Sequence, residues 1–190
     1  MLTSVQGLMG NRQIGVVDTD TNKLVVPLSY SAITFQKYGI IAHYPSGLSD
    51  VYHFDGTLVL SKALNPLLLD DNFIIASNNN GKCYIFKSKN GSTKLFNKSG
   101  FDSISFFFGS SSDPKMYNSA VNFTPFFTNA DYLNNGACFD RYICVTLNGY
   151  WGVIHRDTGK VAVNFNAKEI IHRKNTQLII TCNDDHVIML

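Results

Sequence analysis

Charge is scarce in this chain: Asp, Glu, Lys and Arg make up only 16% of its residues, against roughly a quarter in an ordinary soluble domain. With a net charge of +2 and no run of Lys or Arg, the sequence offers no basic stripe to grip a phosphate backbone, so no nucleic acid is expected as a partner. Long apolar runs are missing too. The longest, such as Leu67-Leu68-Leu69, fall far short of the roughly 20 residues that cross a bilayer. Met1 to Gly7 have neither the basic start nor the apolar stretch of a secretory leader. No membrane is expected, and the cytoplasm is the default compartment. Low charge and abundant Asn also suit a subunit of a virion or another larger assembly. Cys83, Cys138, Cys144 and Cys182 form no Cys-x-x-Cys pair and are expected as reduced, partly buried strand residues. Helical periodicity nowhere persists over a useful length.

What the sequence does have is repetition. Asn148-Gly149-Tyr150-Trp151-Gly152-Val153-Ile154 leads to Gly159, eight positions after Trp151; Ile14 leads to Asn22 over the same distance, and Cys83 to Gly91. Gly or Asn in that place tolerates positive φ. A fourth copy reads Val51-Tyr52-His53-Phe54, closed by Asp55-Gly56. A second marker follows eleven positions after three of these turns, at Ile33, Leu67 and Ile170, and thirteen after Gly91, at Ile104. Each unit then ends in a short β-branched run: Ile40-Ile41-Ala42, Phe73-Ile74-Ile75, Tyr142-Ile143-Cys144, Leu178-Ile179-Ile180. Such runs favour strands over helices.

The unit starts at Ile14, Val51, Cys83 and Trp151 are separated by 37, 32 and 68 residues, and the last interval is read as one unit with an insertion at about 109–140, with a degenerate extra unit as the alternative. Leu2 to Gly7 reads as the last strand of a preceding unit and Val187 to Leu190 as the first strand of a following one. Asn148-Gly149 and Asn80-Gly81 predict type I′ hairpins. The fold expected is all-β: one domain over residues 1–190 made of repeated four-stranded antiparallel meanders. Units of this size bury their apolar faces only by stacking. The stacking is read as a propeller-like ring, with an open β-solenoid as the alternative.

The residues just quoted resemble the WG-repeat family. Gly149-Tyr150-Trp151-Gly152-Val153-Ile154 followed by Thr158-Gly159-Lys160 is similar to its Trp-Gly strand and Gly-Lys turn. Val26-Pro27 to Tyr30 and Ile33, and Phe101-Asp102-Ser103-Ile104, are similar to its closing corner. Ile14-Gly15 keeps half of the signature; Cys83-Tyr84 and Val51-Tyr52 have lost it. The resemblance implies a β-rich scaffold used for interactions and supplies no catalytic residues.

No spacing of His43, His53, His155, His172 and His186 suits a metal site, and Asp18, Asp55, Asp70 and Asp157 stand in turns that their side chains stabilise. Asp18-x-Asp20-x-Asn22 lacks the glycine and distal Glu of a calcium loop. Trp151 is expected as a packing residue. No catalytic residue, metal or cofactor is assigned, and no small-molecule substrate is expected. The functional expectation is a non-enzymatic protein-interaction or structural module, with a small-ligand or glycan-binding module as the alternative. Contact with a protein partner or a second copy is assigned to the aromatic insertion, through Tyr117, Phe123, Phe126, Phe127 and Tyr132. Aromatic side chains are enriched in the cores of interfaces.

Overall fold

The computed structural model describes residues 1–6, 13–89, 92–106, 115–118, 141–167, 172–174, 177–182 and 186–190. Strands and turns make up these residues, with no helix among them, as the short β-branched runs predict. The chain divides into two compact units. The first holds Met1–Ser77 and Phe86–Leu95; the second holds Asn78–Ile85 and Phe96–Leu190.

In the first unit, β1 (Leu2–Gln6), β2 (Ile14–Asp18) and β3 (Lys23–Tyr30) form a three-stranded antiparallel sheet in that order. Then follow β4 (Ala32–Gln36), β5 (Gly39–His43), β6 (Leu48–Tyr52), β7 (Leu58–Leu68), β8 (Phe73–Ser77), β9 (Cys83–Lys89, in this unit from Phe86) and β10 (Ser92–Leu95). They pair consecutively in one seven-stranded sheet. β7 is long because it serves twice. Its first half pairs with β6 and its second with β8, with Leu64 opposite both Leu48 and Ser77. The two sheets stack through Val16, Val26, Tyr30, Ile40, Ala42 and Tyr52, while Ile41, on the other face of β5, joins Val51, Val59, Leu68 and Ile74. Alternate residues of one strand thus feed two cores.

In the second unit, β11 (Ser103–Phe106), β12 (Lys115–Asn118), β13 (Tyr142–Leu147), β14 (Tyr150–His155) and β15 (Val161–Ala167) make a sheet in the order β12-β11-β13-β14-β15. β16 (His172–Lys174), β17 (Gln177–Thr181) and β18 (Val187–Met189) make a three-stranded sheet. They share a core of Cys144, Trp151, Val153, Val163, Ala167, Ile180 and Cys182.

Pairing corrects two details of the repeat. Val16 lies opposite Val26, Val51 opposite Leu60, and Val153 opposite Val163. Val51 therefore matches Val16, Ile85 and Val153, all 0% exposed, and the residue matching Ile14, Cys83 and Trp151 is Ser49, not Val51. The starts then fall 35, 34 and 68 residues apart, so the long interval is twice the short one. The apolar runs also do not end sheets. β5 lies inside its sheet between β4 and β6, because hydrogen bonds run on across the boundary that the sequence marks.

Of the two predicted type I′ turns, Asn148-Gly149 has the required backbone, with φ of 55° and 78° and Leu147 paired with Tyr150 across it. At Asn80-Gly81 only the glycine has positive φ, 76°. There the Asn78 side-chain oxygen accepts the Asn80 and Lys82 amides, which closes a wider turn. The repeated turn position does hold left-handed residues at Asn22, Gly56 and Gly159, with φ of 58°, 90° and 69°; Gly91 lies outside the described residues.

Candidate functional site

The position after each repeat start is where chemistry diverges. Gly15 and Gly152 occupy it in two units. A Cβ on Gly15 would meet the Val26 carbonyl oxygen at 2.5 Å, and one on Gly152 would meet the Phe165 ring at 2.6 Å. In the unit that starts at Ser49 the same position is Asp50, 3% exposed. Its carboxylate is filled by four donors. Oδ1 accepts the Lys62 amide at 2.7 Å and the Ser61 hydroxyl at 3.0 Å; Oδ2 accepts the hydroxyls of Tyr30 and Tyr44, each at 2.8 Å. The Tyr52 hydroxyl bonds to that of Tyr30. The rings pack on one another, Tyr30 with Tyr44 at 4.8 Å between centroids and with Tyr52 edge-on at 6.2 Å.

Burial pushes the Asp50 pKa up, but the Lys62 amide and the hydroxyls of Tyr30, Tyr44 and Ser61 outweigh it and hold the carboxyl below its ordinary range. Tyr30 is pushed far above the usual phenol range by burial, and then by its bonds to Tyr52 and Asp50. An ionised carboxylate has about four lone-pair sites, and here each has a donor. The group is set to anchor a chain bend, since no acceptor site remains for a substrate proton.

Beside it, His43 bonds through Nδ1 to the Ser49 hydroxyl at 2.9 Å and through Nε2 to that of Thr34 at 3.0 Å. Burial lowers its pKa. A His-Ser pair suggests a nucleophile, but Ser49 is 1% exposed, so no acyl group reaches its oxygen. In the second unit Asp102 plays a matching part. It pairs with the Lys82 ammonium and accepts the Gly149 amide at 3.1 Å, tying the corner before β11 to the β13–β14 turn.

The sequence reading missed the Asp50 cluster. An Asp inside a strand, at the place where two other units carry glycine, is the signal that could have found it. His53 and His155 do occupy equivalent places: each closes its turn through the backbone, His53 with Thr57 and Gly56, His155 with Lys160 and Gly159. Asp18 accepts the Thr21 hydroxyl and the Asp20 amide, the local bonding expected of a turn. Cys83, Cys144 and Cys182 are buried, and none of them forms a disulfide among the described residues; Cys138 lies outside the described residues. Among the described residues, no group of His, Cys, Asp and Glu could hold a metal ion, and no helix is long and apolar enough to cross a membrane.

The insertion enters at one hairpin. β4 and β5 are joined by Lys37 and Tyr38 alone, with Ile33 opposite Ala42. β11 and β13 hold the same register, Ile104 opposite Val145, although residues 107–141 separate them. From within that stretch β12 returns to pair with the outer edge of β11, placing the Tyr117 backbone opposite Ile104. The Tyr117 side chain and all of Phe123, Phe126, Phe127 and Tyr132 lie outside what is described.

No protein-family model matches the chain, and no curated protein matches it. Among solved structures it is similar to the computationally designed Ika4 protein, at 14% identity and a TM-score of 0.36, over 84% of this chain and 90% of that one. A likeness at that level carries no argument about fold or function.

Proposed function

We propose that this protein is a non-enzymatic interaction or structural module, in which the insertion at 109–140 contacts a protein partner or a second copy of the chain. One observation carries the reading: β11 and β13 keep the register of β4 and β5 across the insertion, whose β12 adds only an edge strand to the outer side of β11. A long connection that is rich in aromatic residues suits recognition. The saturated Asp50 and the enclosed Ser49 support a non-enzymatic role. Trp151 is 8% exposed within a core, which leaves its face little room to stack a sugar and counts against the glycan-binding alternative.

The WG-repeat resemblance belongs to the same proposal. Its support is the Trp151-Gly152 pair, where the Trp fills the core and the glycine makes room for Phe165. Between a propeller-like ring and an open stack, the exposure of Val187 and Met189 at 56% and 66% supports the open stack.

Excising 109–140, with Phe108→Asn and Arg141→Gly as the new turn, tests the functional reading. The expected variant folds, with a melting temperature lowered by no more than the loss of the β12 edge strand, and loses a partner that the full chain captures from native lysate. A loss of stability of the roughly 3 to 5 kcal/mol typical of removing buried Phe, with capture intact, overturns it.

A further inference from the structure

Four Asn-Gly pairs stand in the chain: Asn80-Gly81, Asn90-Gly91, Asn135-Gly136 and Asn148-Gly149. The second and third lie outside the described residues. Such a pair modifies itself in water. The backbone nitrogen of the glycine gives up its proton and attacks the carbonyl carbon of the Asn side chain. The new C–N bond closes a succinimide ring, and the side-chain nitrogen takes up a proton and leaves as ammonia. Water then opens the ring at either carbonyl, which yields aspartate or isoaspartate. Glycine eases the attack because no Cβ stands beside its nitrogen. Asn80-Gly81 and Asn148-Gly149 are alike as dipeptides, and all four residues are exposed. The fold treats their two reacting nitrogens differently.

At Asn148-Gly149 the nitrogen faces a charge. Gly149 N–H donates to Asp102 Oδ2 at 3.1 Å, and the other Asp102 oxygen pairs with the Lys82 ammonium. Lys82 holds that carboxyl below its ordinary range, so it is ionised at neutral pH. Taking the proton from the Gly149 nitrogen would set an anion beside a carboxylate, and a like charge disfavours the charged form. The turn is also closed by strand pairing. Leu147 lies opposite Tyr150 across it, with φ of 55° and 78° at the two residues between. Ring closure turns the Gly149 nitrogen onto the Asn148 side chain, a rotation that the paired strands resist.

At Asn80-Gly81 the arrangement differs. Gly81 N–H donates to the neutral carbonyl of Asn78, at 3.2 Å. The turn is wider: Asn78 N–H reaches Lys82 O at 3.0 Å over Asn79, Asn80 and Gly81. It is fastened by the Asn78 side chain, which accepts the Asn80 and Lys82 amides at 3.0 and 3.1 Å. β8 ends at Ser77 and β9 begins at Cys83, so the Asn80-Gly81 peptide lies outside strand pairing.

We propose that Asn80-Gly81 is a site of spontaneous deamidation in the folded protein, and that Asp102 shields Asn148-Gly149 from the same reaction. The product is tolerated unequally in the same sense. Isoaspartate carries the main chain through its side-chain methylene and so lengthens it by one atom. Between β8 and β9 that atom enters a loop outside strand pairing. At Asn148 it would enter a two-residue loop whose length sets the β13–β14 register.

Ageing the full chain in neutral buffer, with peptide mass spectrometry at intervals, tests the proposal. In the native protein Asn80 should deamidate at least about tenfold faster than Asn148. In denaturant the two rates should converge, because there the dipeptide alone acts. Asp102→Asn keeps an acceptor but removes the charge, and should speed the loss at Asn148 by at least about threefold, with less effect at Asn80. Hydrogen exchange separates shielding from unfolding, since it removes the same proton from the same nitrogen. In Asp102→Asn the Gly149 amide should exchange faster while the amides of Val145 and Val153, within the paired strands, keep their protection. Equal native rates at the two pairs, or a difference that persists in denaturant, would overturn the proposal. So would an unchanged rate at Asn148 in Asp102→Asn, or a faster one that comes with lost protection at Val145 and Val153.

Discussion

The Asp50 carboxylate accepts the backbone amide of Lys62 at 2.7 Å, and Lys62 holds a left-handed backbone with φ of 53°. The two go together. A left-handed residue costs an L-amino acid about 1 to 2 kcal/mol, and a charge-assisted bond from its amide offsets that cost. The bend lets β7 leave β6 and continue toward β8.

Lys62→Gly should therefore raise stability, by up to about 1 kcal/mol, because relief of the left-handed strain exceeds the entropy cost of glycine. Lys62→Val should lower it by more than about 1 kcal/mol. Chemical denaturation of both variants gives the comparison; equal stability for Gly and Val would mean that the bend is not strained.

Asp50→Asn replaces one acceptor oxygen of the carboxylate with an amide donor facing other donors. A buried network that loses its charged acceptor should cost about 2 to 4 kcal/mol. Tyr44→Phe, at the half-exposed edge of the cluster, should cost less than Tyr30→Phe at its centre. The reverse order in denaturant midpoints would show that the cluster is not organised around Asp50.

Two side chains of this region make stability depend on pH. The folded His43 pKa is lowered by burial, so the unfolded chain binds more protons below about pH 6.5. Its contribution is complete above that pH and is lost as pH falls toward the folded value. His43→Gln should flatten this part of the stability curve; Thr34 and Ser49, which face the ring, do not titrate there. Asp50, lowered by its donors against the opposing effect of burial, contributes above the ordinary carboxylate range and loses its contribution in acid below about pH 4. A His43→Gln curve parallel to the wild type from pH 5 to 7 would contradict the assignment.

Gly152→Ala should destabilise the protein, because the new Cβ would lie 2.6 Å from the Phe165 ring. Shortening the obstacle with Phe165→Leu should make the alanine cheaper than it is alone. A double-mutant cycle on thermal midpoints measures that coupling; additive effects would place the constraint elsewhere.

Burial pushes the Cys144 thiol up to about 12, and Cys83 and Cys182 are enclosed as well. Thiolates are the reactive form, so these residues should resist alkylation at neutral pH until the chain unfolds. Mass spectrometry of labelled peptides reads this directly, and rapid labelling of Cys144 in the native protein would refute it.

The sequence by itself determined the strands, the repeat and several of its turns. Each rests on local chemistry: alternating β-branched residues, glycine or asparagine where φ is positive, Asn148-Gly149 between two apolar strands. The break in the regular interval, between Ile104 and Tyr142, is visible in the sequence as well. Tertiary structure decided what those intervals cannot encode. Spacing marks where a unit recurs, but backbone hydrogen bonding chose where a sheet begins, and it moved the matching residue from Val51 to Ser49. Only packing brought Tyr30, Tyr44, Tyr52, Ser61 and Lys62 around Asp50, since these come from separate strands and turns. Only packing distinguishes Val51 from Met189, one 0% exposed and the other 66%. Val51 is covered by Leu68 and Ile74 while Met189 is 66% exposed, and burial belongs to neighbours, which no single unit of the sequence contains.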